Sequence, residues 1–366
     1  MNQASNFIRS HIRDLPPYKP IYPLDVLSKE LGIPVDELVK LDANENPFGA
    51  LPEVNQALSN LDTLHIYPDP ESRKIRKLLA SHHNIPEENI VVGAGADELI
   101  DLIMRVALNP GDRIINCPPT FGMYDFDARL NQAEVIPVPR NPDFSLIFPA
   151  VISAVEQYKP RILFLANPNN PDGSVISKGD FQKLINLPIL LIMDEAYIQF
   201  ADKAETFIPQ VFSYGNLIVL RTFSKWAGLA GLRIGYGIFP ADIVPTIMKA
   251  KQPYNVSVAA ETAAVVTMEN LPAVMERIFQ IIDQRNDLFN KLADIPWLRL
   301  YPSQANFILC KVLDRPASNV RDTLRSQGIL IRYFDKPGLS DHIRISVGTE
   351  AQNQQLLAAL KGMRKP

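Results

Sequence analysis

The sequence predicts an α/β protein, with a large domain built on a mostly parallel, helix-covered sheet and a smaller α+β domain after it. Three observations carry that expectation. From about residue 90 to 240, short apolar runs without alternation are closed by polar or small residues and followed by a helical pattern. Such runs suit strands buried on both faces. After about residue 250 the pattern changes to longer helical segments and then to short strand candidates. The informative polar residues fall at the carboxyl ends of the apolar runs, where ligands gather in open parallel sheets.

In chain order the runs are "NIVVGAGADELIDLIMRVAL", "RIINCPPTFGMYDFDARL", "RILFLANPNNPDG", "ILLIMDEAYIQF" and "LIVLRTFSKWAG". The second half continues with the helical "LPAVMERIFQIIDQRNDLFNKLADI" and the strand candidates "NFILCKV", "ILIRYF" and "HIRISVG". With 366 residues and 46% hydrophobic content, the chain can bury a core for a large domain plus a smaller one. Its 31 prolines are scattered among turns such as "NPNNPDG" and form no linker, so the two domains are expected to pack closely.

A net charge of -3 offers no basic field, so nucleic acid is not expected as a partner. The two cysteines, Cys117 and Cys310, form no CxxC pair, which fits neither a disulfide framework nor zinc and favours a reducing, cytoplasmic setting. No apolar run reaches membrane-spanning length, and the N-terminal stretch lacks a signal-peptide core, so a soluble protein is expected. The five histidines show no HxxxH spacing, and no metal is expected.

"GAGADE", Gly93 to Glu98, closes a strand and opens a helix whose N–H groups and dipole could hold a phosphate. It lacks the third glycine of the dinucleotide fingerprint, and no GxxxxGK[ST] occurs. In "LLIMDEAY" two acids follow an apolar run, so at least one carboxylate needs a cationic or hydrogen-bonding partner. "RTFSKWAGLAGLRIGYG" sets Lys225 among small and hydroxyl residues, with Arg233 eight positions later. A lysine after a strand ordinarily points into water, and each motif alone has a plain structural explanation.

Together they converge on a pyridoxal phosphate pocket. A free lysine amine is unprotonated in only about one part in 2500 at pH 7, so Lys225 needs desolvation or condensation with an aldehyde to react. Asp194 would keep the pyridine nitrogen protonated, and the ring could then take up the electrons left at Cα. Tyr197 and Asn170 could bind the ring's 3-oxygen, and Phe121 could stack on its face. Ala96 and Asp97 through their N–H groups, with Thr222, Ser224 and Arg233, would hold the phosphate.

"DEAY", "TFSKWAGLAGLRIGY" and "NPNNPDG", in this order and spacing, resemble the fold-type I, class II aminotransferases. "KLDANENPFG", "YPD", "PYNVS", "PSQANF", "IRYFDKPGL" and "IRISVGT" narrow the resemblance to histidinol-phosphate aminotransferases over nearly the whole chain. The resemblance implies a seven-stranded sheet in a large domain over 43–255 and a small domain over 256–366. A segment over 1–42 would contribute to the small domain and the active site. It implies exchange of an amino group between glutamate and imidazole acetol phosphate in histidine biosynthesis. Aromatic amino-acid transamination and decarboxylation of a phosphorylated amino acid are alternatives on the same scaffold.

Carried over by motif, Lys225 forms the Schiff base and shuttles the proton, and Asp194 pairs with the pyridine nitrogen. Tyr67 would reach the cofactor phosphate of a second subunit, which implies a homodimer with shared sites. Arg344 would bind the glutamate carboxylate or the histidinol phosphate group, assisted by Arg332 and Tyr18, and Asn44 of "KLDANENPFG" joins the substrate set. Two arginines on short strands also suit an oxyanion in their own right. Asp172, Trp226 and Phe121 depart from the common pattern, which has threonine, a smaller residue and tyrosine there.

Overall fold

The computed structural model describes residues 4–16, 22–202 and 205–363. Seven strands form the larger sheet, in the order Ile90–Gly93, Gly235–Ile238, Leu217–Thr222, Leu190–Asp194, Ile162–Ala166, Arg113–Asn116 and Glu134–Pro137. Gly235–Ile238 runs antiparallel to both of its neighbours, and the other pairings are parallel.

The absence of alternation in these strands has a direct cause. Leu163, Leu165, Leu191, Met193, Leu217 and Val219 enter one core cluster, while Ile162, Phe164, Ile192, Ile218 and Leu220 enter another. Successive side chains in a strand point to opposite faces, so both parities must be apolar when both faces are covered. Helix Ala96–Ala107 supplies Leu99, Ile100, Leu102 and Ile103 to the second cluster.

The expected strand–helix grammar fails after two strands. Leu190–Asp194 leads to the 3-10 turns Ile198–Phe200 and Ile208–Phe212, and Leu217–Thr222 leads to the 3-10 turn Ala230–Leu232. The second chain segment then returns as an antiparallel strand, which needs no crossover helix.

A five-stranded sheet has the order Val39–Leu41, Ile329–Tyr333, His342–Ser346, Phe307–Val312, Leu298–Leu300. Val39–Leu41 pairs in parallel with Ile329–Tyr333, so the N-terminal part of the chain enters the smaller sheet. Helix Val258–Glu269 packs Ala260, Ala263 and Ala264 into the larger core. The long helix Leu271–Ala293 places Val274, Ile278 and Ile281 in that core but Leu288 and Leu292 under the smaller sheet. One rigid rod thus ties the two sheets together. Among the described residues, no helix is long and apolar enough to cross a membrane.

Candidate active site

The carboxyl ends of the parallel strands converge on one cavity of about 130 Å³. Its wall brings together Ala96, Asp97, Phe121, Asn170, Asp194, Tyr197, Thr222, Ser224, Lys225 and Arg233. Residues 96 to 233 are far apart in sequence, and the sheet aligns the loops that carry them. Tyr18 lies outside the described residues.

One end of the cavity is an anion cradle. Helix Ala96–Ala107 starts at Gly95 without a side-chain cap, so its first-turn N–H groups remain available to a ligand. Gly95 has φ +87°, and a Cβ there would stand 2.7 Å from Arg233 Nη2. Gly235 is required for a related reason, since its Cβ would lie 2.6 Å from the Ala96 nitrogen. Arg233 Nη2 donates to Asp97 Oδ2 at 2.9 Å, and Thr222 Oγ1 donates to Ser224 Oγ at 2.9 Å. A guanidinium, two hydroxyls and a helix N-terminus form a donor set that fits a phosphate.

The opposite requirement, a carboxylate for a ring N–H, is met at Asp194. It is buried, and Tyr124 O–H donates to its Oδ2 at 2.6 Å while the Ala196 N–H donates to Oδ1 at 3.1 Å. Burial pushes its carboxyl up to about 6, although both hydrogen bonds pull the other way. A buried carboxylate of this kind gains from an added cationic donor. Together the cradle and Asp194 fit the two ends of pyridoxal phosphate.

Lys225 shares the cavity wall with both, its Nζ donating to the Ala43 carbonyl at 3.2 Å. Burial lowers its ammonium to about 8, with the Arg344 and Arg233 charges acting in the same direction. The amine is therefore far easier to free near neutral pH than that of an exposed lysine.

Asn44 belongs to the neighbouring polar shell. Its Nδ2 donates to Tyr197 Oη at 3.1 Å, and its Oδ1 accepts from Ser346 Oγ at 3.0 Å. Arg344 Nη1 donates to Asn170 Oδ1 at 2.6 Å and Nη2 to the Asp42 carbonyl at 2.9 Å. Arg332 is directly opposite Arg344 on the adjacent antiparallel strand. Like charges opposed in this way repel unless an anion lies near both, which gives the pair the character of an oxyanion site.

Arg332, Arg344, Asn44 and Tyr67 are not among the residues lining the described cavity. Tyr67 is 79% exposed, and its ring stacks on Tyr254 at 4.7 Å. Of the three residues that depart from the common pattern, Phe121 lines the cavity, and Asp172 and Trp226 serve the loops. Asp172 accepts from Asn169 and, at 2.9 Å, from the Ser174 N–H, while Trp226 Nε1 donates to the Thr222 carbonyl at 2.7 Å.

Two parts escaped the sequence reading. Tyr124, the donor to Asp194, follows Phe121 by three residues, and that spacing was its only sequence signal. Of the two acids, Glu195 finds a cationic partner that the sequence did not single out, its Oε2 pairing with Arg221 Nε at 2.9 Å in a buried setting, while Asp194 has hydrogen-bonding partners.

Comparison with known proteins came to the same chemistry. The family described as aminotransferase class I and II matches residues 36–360. A chloroplastic histidinol-phosphate aminotransferase of Nicotiana plumbaginifolia is 51% identical over 97% of this chain and 86% of its own. That of Roseiflexus castenholzii is 47% identical over 98% of each chain. The crystal structure of the Sinorhizobium meliloti histidinol-phosphate aminotransferase with pyridoxal-5'-phosphate superposes with a TM-score of 0.87. It is 27% identical and covers 97% of this chain and 96% of its own.

Proposed function

The chain belongs to the class I and II aminotransferases, and from that premise we propose how its own residues perform the exchange between histidinol phosphate and glutamate. It is a pyridoxal phosphate enzyme with the activity of its histidinol-phosphate aminotransferase relatives. The observation that carries the residue assignment is the presence of Lys225, Asp194 and the Arg233 cradle in one cavity.

When bound, pyridoxal phosphate supplies an aldehyde for the amine and a ring that takes up the electron pair left at Cα. Lys225 Nζ removes the proton from Cα and returns it on the other side of the exchange. Asp194 holds the ring nitrogen protonated, with Tyr124 and the Ala196 N–H keeping the carboxylate charged and fixed. Tyr197 and Asn170 would hydrogen-bond the ring oxygen, Phe121 would stack on the ring, and Arg233, Thr222, Ser224 and the N–H groups of Ala96 and Asp97 would hold the phosphate. Arg344, with Asn170 and the opposed Arg332, takes the substrate oxyanion, assisted by Asn44, and the resemblance adds Tyr18 to this substrate set.

The same reading makes the enzyme a homodimer, in which the exposed Tyr67 serves the cofactor phosphate of the second copy. It retains the three segments 1–42, 43–255 and 256–366, with helix Leu271–Ala293 as the connector, and a cytoplasmic setting supported by two buried free cysteines.

The test is a single half-reaction. Histidinol phosphate added to the yellow, cofactor-loaded protein should discharge the visible band, and 2-oxoglutarate should restore it. Discharge by phenylalanine with inertness toward histidinol phosphate would remove the substrate assignment, and CO2 release would point to the decarboxylase alternative.

A further inference from the structure

Phe121 and Asn170 reach the cavity from two different loops, one following strand Arg113–Asn116 and the other following strand Ile162–Ala166. A ring held by both is placed only as well as the loops keep their spacing. Their chain neighbours Thr120 and Asn169 are joined directly, with Thr120 Oγ1 donating to Asn169 Oδ1 at 2.8 Å.

We propose that Asn169 and Asp172 are a pair of positioning residues that lock the two loops together and so fix Phe121 and Asn170 against the cofactor ring. The proposal rests on the functional reading above, which gives those two cavity residues their roles. Asn169 uses both polar atoms of its side chain: besides accepting from Thr120, its Nδ2 donates to the Pro119 carbonyl at 3.1 Å and to Asp172 Oδ1. Asp172 Oδ2 in turn accepts from the Ser174 N–H at 2.9 Å. The bonds to Thr120 and Pro119 grip one loop, and the pair itself belongs to the other.

Closing the turn does not need these side chains. Its backbone closes it already, with the Gly173 N–H donating to the Asn169 carbonyl at 2.7 Å and the Asn169 N–H to the Ser174 carbonyl at 2.8 Å. Both side chains are nevertheless buried, Asn169 being 1% and Asp172 2% exposed. Burial pushes the Asp172 carboxyl up, and the Arg140 charge and the Ser174 and Asn169 hydrogen bonds oppose it. A buried carboxylate is costly, and here it orients an amide: with Asp172 accepting from Nδ2, the Asn169 oxygen is turned toward Thr120. Neither residue is among those lining the described cavity, so both act through their neighbours. Asn170 also accepts from Arg344 Nη1 at 2.6 Å, which extends the lock to the oxyanion end.

The experiment uses the loaded enzyme and two readouts. Circular dichroism of the visible band reports how firmly the ring is held, and the discharge of that band by saturating glutamate reports the rate. Thr120→Val removes the hydroxyl at nearly constant shape, and Asp172→Asn replaces one acceptor by a donor. Each should weaken the dichroism at full cofactor loading and slow discharge roughly tenfold, the size of one buried hydrogen bond. Thr120→Ser should behave as wild type. Both single variants act through Asn169, so the double variant should lose little more than the worse of them, not roughly a hundredfold. If Asp172→Asn does not fold, the Thr120→Val and Thr120→Ser pair decides the matter alone. A lowered Tm with dichroism and discharge unchanged would show side chains that only support their turn, and multiplying losses would show that they form no single lock. Either result overturns the proposal. Wild-type protein inert to histidinol phosphate would instead overturn the substrate assignment, and the dichroism would still decide the pair.

Discussion

Tyr124 donates a 2.6 Å hydrogen bond to Asp194 Oδ2, and this contact reaches from helix Met123–Leu130 to the end of the central strand Leu190–Asp194. It stabilises the charged form of a carboxylate that burial holds up at about 6. Tyr124→Phe removes a donor to the anion, so the carboxyl rises further. The acid limb of kcat/KM should move upward by roughly one pH unit, with activity lost as pH falls through the higher value. A pH profile of the variant with an unmoved acid limb would show that Tyr124 only packs.

Lys225 has its ammonium lowered to about 8, first by burial and then by Arg344 and Arg233. The free amine is the form that captures an aldehyde. Covalent loading of the apoprotein should therefore accelerate roughly tenfold between about pH 7 and 9 and then level off. Lys225→Ala should trap no cofactor on borohydride reduction and show no turnover.

Glu195 and Arg221 form a buried ion pair at 2.9 Å, and Glu195 also accepts from Thr206 Oγ1 at 2.7 Å and from the Phe207 N–H at 2.6 Å. Their chain neighbours are Asp194 and Thr222, both in the cavity wall. Glu195→Ala leaves an uncompensated buried guanidinium and should cost about 3–5 kcal/mol. Urea unfolding reads the loss directly, and cofactor retention should weaken with it.

Asp127 is buried between helices Met123–Leu130 and Ala96–Ala107, and burial, with Asp101 and Asp97 nearby, pushes its carboxyl up to about 7. Its folded-state pKa is raised, so the folded form holds the proton more tightly than the unfolded chain. The stability from this group is complete below about pH 4 and lost as pH rises through about 7. Asp127→Asn should raise the Tm by several degrees at about pH 8, with the gain shrinking toward pH 5. Thermal scans at both pH values check the sign.

Much of this protein was legible in its sequence because parallel strands covered on both faces require apolar runs without alternation, and such runs stand out. Their ends could be read as one site because the chain direction in a parallel sheet brings carboxyl ends to one edge. Lys225, Asp194, Arg233 and the "GAGADE" helix start were therefore singled out from type and position, and the structure brings them into one cavity wall. The strand–helix grammar was wrong after Asp194 and Thr222, since an antiparallel return and 3-10 turns leave no distinct periodic signature. The sequence determined the sheet and the cofactor chemistry, and it pointed to the residues proposed to handle it. Tertiary structure alone decided that Tyr124 donates to Asp194, that Glu195 pairs with Arg221, and that Arg332 opposes Arg344. Each is a contact between segments remote in the chain or a choice between adjacent carboxylates. Side-chain reach and strand register set such contacts, and neither can be read from one segment taken alone.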